Sequence, residues 1–383
     1  MSNLKRIETK EKVRYLLWAK SAGRCQFEGC NLPLYKDNHT QIEMNFAEVA
    51  HIIGQGKKGP RSCEELKQDE EYINDISNLM LLCPKDHKLI DENPDIYDQD
   101  ILRKMKETHE FFIKLATEKI YEKRSNVIIY SGRIGSFQPL INFTDARKAM
   151  FPDYFPADSY PLELGMYGNM TSDNEQEFWK QQVKNLELQF KNKVEHILEN
   201  NNGVNHYSIF AFAPIPLLIK LGSLIPDHYL AQIYQLKREP QSWEWQPDPK
   251  EFDFNIDEPK EGFKTVALNL SLSADIENQR IYDTLKSDDI SIWKMESVET
   301  EFPKNDHLRG KGQLSLFSRY FRKLLNNIKI IHGQNTSLHV FPAIPLAYAV
   351  EIGRVRQPKA DMPLVIYDQN NKTGGFVPAL TID

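Results

Sequence analysis

Three cysteines near the N-terminus have the type and order that hold a metal ion. Cys25 and Cys30 flank a turn that contains glycine, and Cys83 follows fifty-three residues later. Three thiolates and one further ligand make a closed tetrahedral zinc site, and such a site stabilises a small domain with little core. Asp86 and His87 compete for the fourth position, and the spacing alone does not choose between them.

A second set of residues has the order of a hydrolytic site. His51 ends an expected strand, Asn78 lies in a second one, and His87 opens an expected helix. In this arrangement His51 takes a proton from water, while Asn78 either holds His51 and its loop or reaches the metal. His87 and nearby carboxylates then fix one divalent cation against the scissile phosphate. Asp91, one turn after His87, lies on the same helix face and is a candidate further ligand.

Residues 25–91 resemble the HNH nuclease module, which has a ββα-metal fold. The resemblance implies that His51 is the general base, Asn78 the motif asparagine and His87 the metal-ligand histidine, with Mg²⁺ or another divalent cation in the catalytic site. Many such modules have a ligand where this chain has Ala50, and a Cys or His where it has Asp86. Asp86 is therefore a candidate zinc ligand, which leaves His87 for the catalytic metal. Cys63 lies in an acidic segment and is expected to be unligated.

The charge distribution bears on nucleic-acid binding. The chain has a net charge of −6, whereas DNA-binding proteins usually have a basic surface. Residues 1–24 nevertheless carry seven cations and two carboxylates, a local charge of +5. The Gly/Lys loop adds Lys57, Lys58 and Arg61, which are candidate DNA contacts. We therefore expect a single chain to bind DNA weakly.

Length and composition indicate a globular protein with two domains. The chain has 383 residues, of which 40% are hydrophobic and 27% charged. No apolar run reaches the ~18 residues of a membrane span, and the charged N-terminus lacks the apolar core of a signal peptide. We therefore expect a cytoplasmic protein that does not contact a membrane.

A change of pattern near residue 125 divides the chain. A long helical pattern that begins near Asp100 runs to Glu122, and a short β-like run at 127–130 and a Gly/Ser stretch follow it. The expected domains are residues 1–124 and 136–383, with a linker over 125–135.

The second domain contains an internal repeat. The segments 206–222 and 337–353 each have a β-like run, a loop that ends in Ile-Pro, and an apolar helix that closes on glycine. A second apolar run follows each of them. The repeat predicts two Rossmann-like halves that face each other. The loops at the carboxyl ends of such strands are where phosphates bind, which places Pro345 in a candidate ligand loop.

Two clusters of cations and aromatic residues favour a nucleotide ligand. Arg238, Trp243 and Trp245 combine a cation with rings on which bases stack. Three further cations lie within six residues beside the second repeat: Arg354, Arg356 and Lys359. Core packing of both tryptophans and solvation of the cations is the alternative.

Residues from about 136 to 383 resemble the SAVED domain, a fusion of two CARF-like units that senses cyclic oligonucleotides in bacterial anti-phage (CBASS) systems. The matching stretches begin at Phe212, Lys237 and Phe341. With the HNH module ahead of it, the chain resembles the HNH–SAVED effector nucleases. The predicted fold class is α+β: a small zinc-stabilised ββα-metal domain followed by an α/β SAVED domain.

The predicted function is cleavage of double-stranded DNA, without strong sequence specificity, by a nuclease that a cyclic di- or oligonucleotide switches on. We expect the ligand to join SAVED domains into a homo-oligomer, so that several basic patches act on one duplex. The alternative is a non-catalytic zinc-finger regulator that binds nucleic acid in response to a nucleotide. Ala50 and Asp86 are the residues that favour this alternative.

Overall fold

The computed structural model describes residues 9–54, 60–62, 70–117, 123–135, 137, 139–165, 173, 175–199, 203–225, 229–298, 303–370 and 374–383. The chain divides into two compact units, residues 1–120 (unit 1) and residues 121–383 (unit 2).

Unit 1 is built on a two-stranded sheet followed by a helix. Its described elements are α1 (Glu11–Ser21), β1 (Glu48–His51), α2 (Glu70–Ile73), β2 (Leu79–Leu82), α3 (Pro84–Glu92) and α4 (Gln99–Thr117). β1 and β2 pair antiparallel, so that Glu48 lies opposite Leu82 and His51 opposite Leu79. α3 begins directly after β2 because Pro84, at the first helical position, has the backbone angle that a helix requires. The order β–β–α was predicted and is confirmed.

Gln26 attaches the cysteine turn to this sheet. Its backbone N–H donates to the carbonyl of Leu81 at 2.9 Å, and its side-chain Oε1 accepts from the N–H of Leu81 at 2.8 Å. The backbone N–H and C=O of Leu81, a buried residue of β2, are thereby both satisfied. The turn is consequently held beside the end of β2, where Cys83 follows.

Unit 2 has two sheets. Its strands are β3 (Arg124–Ser131), β4 (Phe155–Pro156), β5 (Leu162–Gly165), β6 (His206–Phe212), β7 (Leu230–Tyr234), β8 (Phe254–Asp257), β9 (Thr265–Ser271), β10 (Ile290–Ser297), β11 (Leu338–Ala343), β12 (Leu364–Asn370) and β13 (Gly375–Ile382). The first sheet is parallel and has the order β4-β3-β6-β7, with β5 also paired to β3. The second has the order β13-β12-β11-β9-β10-β8, a parallel centre with an antiparallel strand at each edge.

The helices of unit 2 lie between and around these strands. They are α5 (Phe143–Met150), α6 (Gln176–Gln189), α7 (His196–Glu199), α8 (Ile215–Leu224), α9 (Asn278–Leu285), α10 (Lys311–His332) and α11 (Leu346–Val355), and a π-helical segment, Phe190–Glu195, joins α6 to α7. One apolar core contains residues from both sheets together with α6, α8, α10 and α11. Among the described helices, none is both long and apolar enough to cross a membrane.

The internal repeat corresponds to two equivalent units. β6-α8-β7 and β11-α11-β12 are each a strand, a helix and a parallel neighbouring strand. α8 and α11 cross in close contact because each has a glycine at the crossing. A Cβ atom on Gly222 would lie 1.9 Å from the carbonyl oxygen of Val350, and one on Gly353 would lie 2.0 Å from that of Ile219. The predicted pair of facing Rossmann-like halves is confirmed.

The predicted linker over 125–135 is wrong in its first half. Residues Arg124–Ser131 form β3, which pairs with β6 over six residues from Asn126 to Ser131. The apolar run is buried on both faces, as a strand inside a parallel sheet must be. Unit 2 therefore begins before the predicted boundary at residue 136.

Candidate functional site

Four side chains of unit 1 converge on one buried centre. The ligand atoms of Cys25, Cys30, Cys83 and Asp86 all lie within 4.8 Å of one another. The Cys25 and Cys83 thiols donate to Asp86 Oδ2 at 3.2 and 3.1 Å. Three sulfur atoms and one carboxylate oxygen at this spacing fit a tetrahedral cation site. Of the two candidates for the fourth position, the structure therefore brings Asp86, not His87, to the thiols.

Burial governs the protonation of this centre. It raises the pKa of the Cys30 thiol to about 11, and it raises the pKa of Cys25 as well. Burial also disfavours the Asp86 carboxylate, but the hydrogen bonds from the three thiols outweigh it and lower the pKa of Asp86. A cation bound here would take the place of the thiol protons, so metal binding is expected to release protons.

Asn78 fixes the loop that follows β1. Its side-chain Oδ1 accepts from the N–H of Ile53 at 2.9 Å, and its Nδ2 donates to the carbonyls of Ile53 and Ile73 at 3.1 and 3.0 Å. The side chain is fully buried. Both ends of the amide are occupied by backbone groups, so Asn78 holds the loop beside His51 and does not reach a metal.

His87, in the first turns of α3, lies between two carboxylates, those of Glu48 on β1 and Asp91 on α3. Its Nδ1 is 2.5 Å from Glu48 Oε2, and its Nε2 is 3.4 Å from Asp91 Oδ2. The Glu48 carboxylate accepts a hydrogen bond from Nδ1 and orients the ring so that Nε2 faces Asp91. Nε2 and Asp91 Oδ2 then form a pair of ligand atoms whose spacing fits one divalent cation with bonds of about 2.0–2.2 Å.

Glu48 was not among the residues predicted from the sequence. The signal for it was the antiparallel pairing of the two expected strands, since the first residue of β1 must lie opposite the last residue of β2. Leu82, the residue opposite Glu48, lies two residues before the start of α3. A carboxylate at position 48 reaches the first turn of α3 and orients His87.

Arg61 does not have the predicted role in DNA binding. Its side chain is only 3% exposed, and Nη2 lies 2.9 Å from Asp91 Oδ1. The guanidinium also donates to the carbonyls of Ile52 and Ile90 at 3.0 and 2.6 Å. Arg61 thus joins the loop after β1 to the end of α3 and holds the Asp91 carboxylate. The other two predicted DNA contacts, Lys57 and Lys58, lie outside the described residues.

The first cluster of predicted nucleotide-binding residues, Arg238, Trp243 and Trp245, contains one core residue and two residues that are at least partly exposed. Trp243 is 5% exposed and packs edge-on against Phe210, beside Tyr234. It is a core residue and offers no face to a ligand, contrary to the prediction. Trp245 is half-buried beside the same cluster and lines a cavity, and Arg238 is exposed in the turn between them and β7.

The second cluster, Arg354, Arg356 and Lys359, likewise contains one buried residue and two that are at least partly exposed. Arg356 is buried and donates to the carbonyls of Met362 and Asp383 at 3.0 and 2.8 Å, so it ties down the C-terminal strand and does not face a ligand. Arg354 pairs with Glu351 at 3.4 Å and remains partly exposed. Lys359 is exposed, and Pro345 caps the start of α11. The predicted ligand roles of these last three residues remain predictions.

Comparisons with known proteins agree with the two units. The family described as the "SMODS-associated and fused to various effectors sensor domain" (SAVED) matches residues 186–382, just over half of the chain. The family described as "HNH endonuclease" matches residues 25–93. No curated protein gives a significant match.

Among solved structures, the chain is similar to SAVED/CARF-domain containing receptors called Cap4. The receptor of Acinetobacter baumannii with the cyclic trinucleotide 2′3′3′-cAAA is 12% identical, with 77% of this chain and 61% of that chain covered and a TM-score of 0.43. The receptor of Moraxella osloensis is 12% identical, with 78% and 60% covered and a TM-score of 0.39. The chain thus spans about three fifths of the length of these structures.

Proposed function

We propose that this chain, which belongs to the SAVED family and has an HNH endonuclease domain ahead of its SAVED domain, is a DNA endonuclease that a cyclic di- or oligonucleotide switches on. The observation that carries the proposal is the β–β–α site of unit 1. There the loop beside His51 is fixed by Asn78, and the Nε2 atom of His87 lies 3.4 Å from a carboxylate oxygen of Asp91. This combination supplies a candidate base at the end of β1 and a candidate cation site on α3, within the same β–β–α unit.

The proposed metals follow from the ligand types. One site is rich in sulfur and mostly buried, and therefore suits structural Zn²⁺; its ligands are Cys25, Cys30, Cys83 and Asp86. The pair of His87 and Asp91 is partly exposed and suits Mg²⁺ or another divalent cation, which would supply charge stabilisation at a phosphate.

Each residue of the site has a distinct part in the proposed mechanism. His51, at the end of β1, accepts a proton from the attacking water. Asn78 keeps the backbone after His51 in place through three hydrogen bonds. Glu48 sets the tautomer and direction of His87, and Arg61 holds one oxygen of Asp91 so that the other points toward His87.

Unit 2 is the proposed sensor. Its two facing halves provide loops at the carboxyl ends of parallel strands, the usual place for phosphates in such folds. We propose that the bound nucleotide brings SAVED domains of several chains together. Because the whole chain has a charge of −6, several N-terminal basic patches acting on one duplex would offset the weak affinity of each. Anti-phage defence in the bacterial cytoplasm is the proposed setting.

A cleavage assay tests the nuclease assignment. The full chain is incubated with plasmid DNA and, separately, with single-stranded RNA, in Mg²⁺ or in EDTA, with cyclic di- and trinucleotides added one at a time. We expect plasmid cleavage that needs Mg²⁺ and one of the nucleotides. Absence of DNA cleavage under every condition, with zinc bound and the chain folded, would favour the zinc-finger regulator.

A further inference from the structure

A cavity of about 420 Å³ lies at the edge of the second sheet of unit 2 where β9 and β11 begin. Its walls are the segment before β9, the end of α10 and the turn that leads into β11. Because β9 and β11 run parallel, this edge is opposite to the one that carries the proposed nucleotide-binding loops. The cavity is therefore separate from the proposed sensor site, and its volume falls within the range of ~300–1,000 Å³ that small-molecule sites have.

Hydrogen bonds hold the walls of this cavity in place. The indole N–H of Trp293, a fully buried residue of β10, donates to His332 Nε2 at 3.2 Å. His332 also forms a hydrogen bond with the backbone of Phe263, and its own carbonyl accepts from Thr336 Oγ1 at 2.6 Å. The N–H of Phe263 donates to Ser291 Oγ at 2.7 Å. A ligand would thus meet walls that are already ordered, which lowers the cost of binding.

The polar groups of the lining are rich in donors. The described residues that line the cavity include one lysine, Lys264, and no aspartate or glutamate. Lys264 is exposed and forms no ion pair within the described part of the chain. The backbone N–H groups of Thr336 and Ser337 likewise have no acceptor among the described residues. The cavity therefore offers a cation and several N–H and O–H donors, and its described lining has no carboxylate that would neutralise them.

His339, which also lines the cavity, can supply a further donor. Its Nδ1 lies 2.9 Å from the Tyr367 hydroxyl, and its Nε2 has no partner among the residues that the structure describes. When the hydroxyl donates to Nδ1, the ring proton is on Nε2 and is available to an acceptor. Burial lowers the pKa of His339 and of His332, so both rings are neutral at pH 7 and Lys264 provides the positive charge of the described lining.

We propose that this cavity binds a small oxyanion, a phosphate group that is either free or part of a monoester. Its oxygen atoms accept from the Lys264 ammonium and from the backbone N–H groups of Thr336 and Ser337, the kinds of donor that hold phosphate in proteins. Glu261, the carboxylate nearest to Lys264 in the sequence, is exposed and does not belong to the lining. The site lies in one half of unit 2, and the proposal holds whether or not the chain is a nuclease.

Two matched pairs of variants in the full chain test this site. Lys264→Met removes the cation, and Lys260→Met makes the same change at an exposed lysine outside the lining. Ser337→Ala removes a hydroxyl of the lining, and Ser315→Ala does the same at an exposed position of α10. Isothermal titration measures the binding of inorganic phosphate and of adenosine 5′-monophosphate at constant ionic strength, and thermal unfolding checks each fold.

We expect saturable binding of phosphate that Lys264→Met weakens about tenfold and Ser337→Ala about two- to fivefold, the values of one charge-assisted and one neutral hydrogen bond. The two controls should change the affinity by less than about twofold. Tighter binding of the monoester would identify it as the ligand, and equal or weaker binding would identify the free ion. Absence of binding below about 10 mM would overturn the inference. Wild-type affinity in Lys264→Met, or an equal loss in Lys260→Met, would do the same.

Discussion

Unit 1 and unit 2 are stabilised by different kinds of interaction. The apolar core of unit 1 contains two of the three thiols of its candidate metal site, Cys25 and Cys83, together with a small number of aliphatic side chains. The core of unit 2 joins two sheets and four helices and contains aromatic and aliphatic side chains without a comparable thiol centre in the described part of the chain. We therefore expect the stability of unit 1 to depend on metal binding by these ligands, and that of unit 2 to depend on packing.

The two units therefore position their functional residues by different means. A metal ion held by Cys25, Cys30, Cys83 and Asp86 would join the cysteine turn to the start of α3, and the adjacent His87 would thereby be positioned without a large core. In unit 2 the close crossing of α8 and α11 fixes the two halves relative to each other. Removal of metal should therefore affect unit 1, whereas changes of volume should affect unit 2.

Loss of one thiolate should have the largest effect. Cys83→Ser is expected to lower the melting temperature of unit 1 and the zinc content together, because zinc sites of this kind contribute ~10–16 kcal/mol of binding free energy in small domains. Cys63→Ser, at the cysteine expected to be unligated, is the control. Calorimetry and elemental analysis measure both. Full activity in protein that holds no zinc would contradict the assignment.

Loss of the proposed base should remove activity and leave both folds intact. His51→Ala is expected to lower the cleavage rate by roughly 10²–10⁴-fold, the usual contribution of general base catalysis. Zinc content, melting temperature and nucleotide affinity should equal those of the wild type, because His51 belongs to neither the metal centre nor unit 2. Cleavage at a near wild-type rate would show that another group is the base.

A methyl group at the helix crossing should destabilise unit 2 alone. In Gly353→Ala the new Cβ would meet the backbone oxygen of Ile219 at 2.0 Å, so α8 and α11 must separate. We expect a loss of about 3 kcal/mol in the free energy of unfolding of unit 2. Gly262→Ala, where no atom lies within 4 Å of the added Cβ, should be neutral. Chemical denaturation followed by circular dichroism distinguishes the two.

The Asp368 carboxyl should make the stability of unit 2 depend weakly on pH. Burial, with Asp173 nearby, raises the pKa of Asp368 to about 7. Since the pKa is higher in the folded state than in the unfolded one, this group lowers the stability as the pH rises from 4 to 7. Asp368→Asn should therefore stabilise unit 2 by on the order of 1–2 kcal/mol at pH 8 and by less at pH 5. An equal gain at both pH values would exclude titration as the cause.

Residue type and order predicted the convergence of Cys25, Cys30 and Cys83, the β–β–α element and the repeated halves. These features were predictable because thiols, histidines and glycines recur there at spacings that their structural roles require. Glu48 was missed because its contact with His87 depends on strand register. Trp243 and Arg61 were misassigned because an aromatic residue and a cation have the same sequence signature in a binding site and in a packed interior. The first half of the predicted linker is a strand, because the β-like run at 127–130 pairs with β6, a partner about 80 residues away that the local pattern does not show.

Coupling between the two units is the central claim, and one titration tests it most directly. Full-length chain with Mg²⁺ and plasmid DNA is titrated with the nucleotide it binds most tightly, and ligand occupancy and cleavage rate are measured in the same samples. The account predicts almost no cleavage without nucleotide and a rate that rises with occupancy to a plateau. Full cleavage in the absence of nucleotide, or complete occupancy without cleavage by a chain whose zinc and fold are intact, would contradict it.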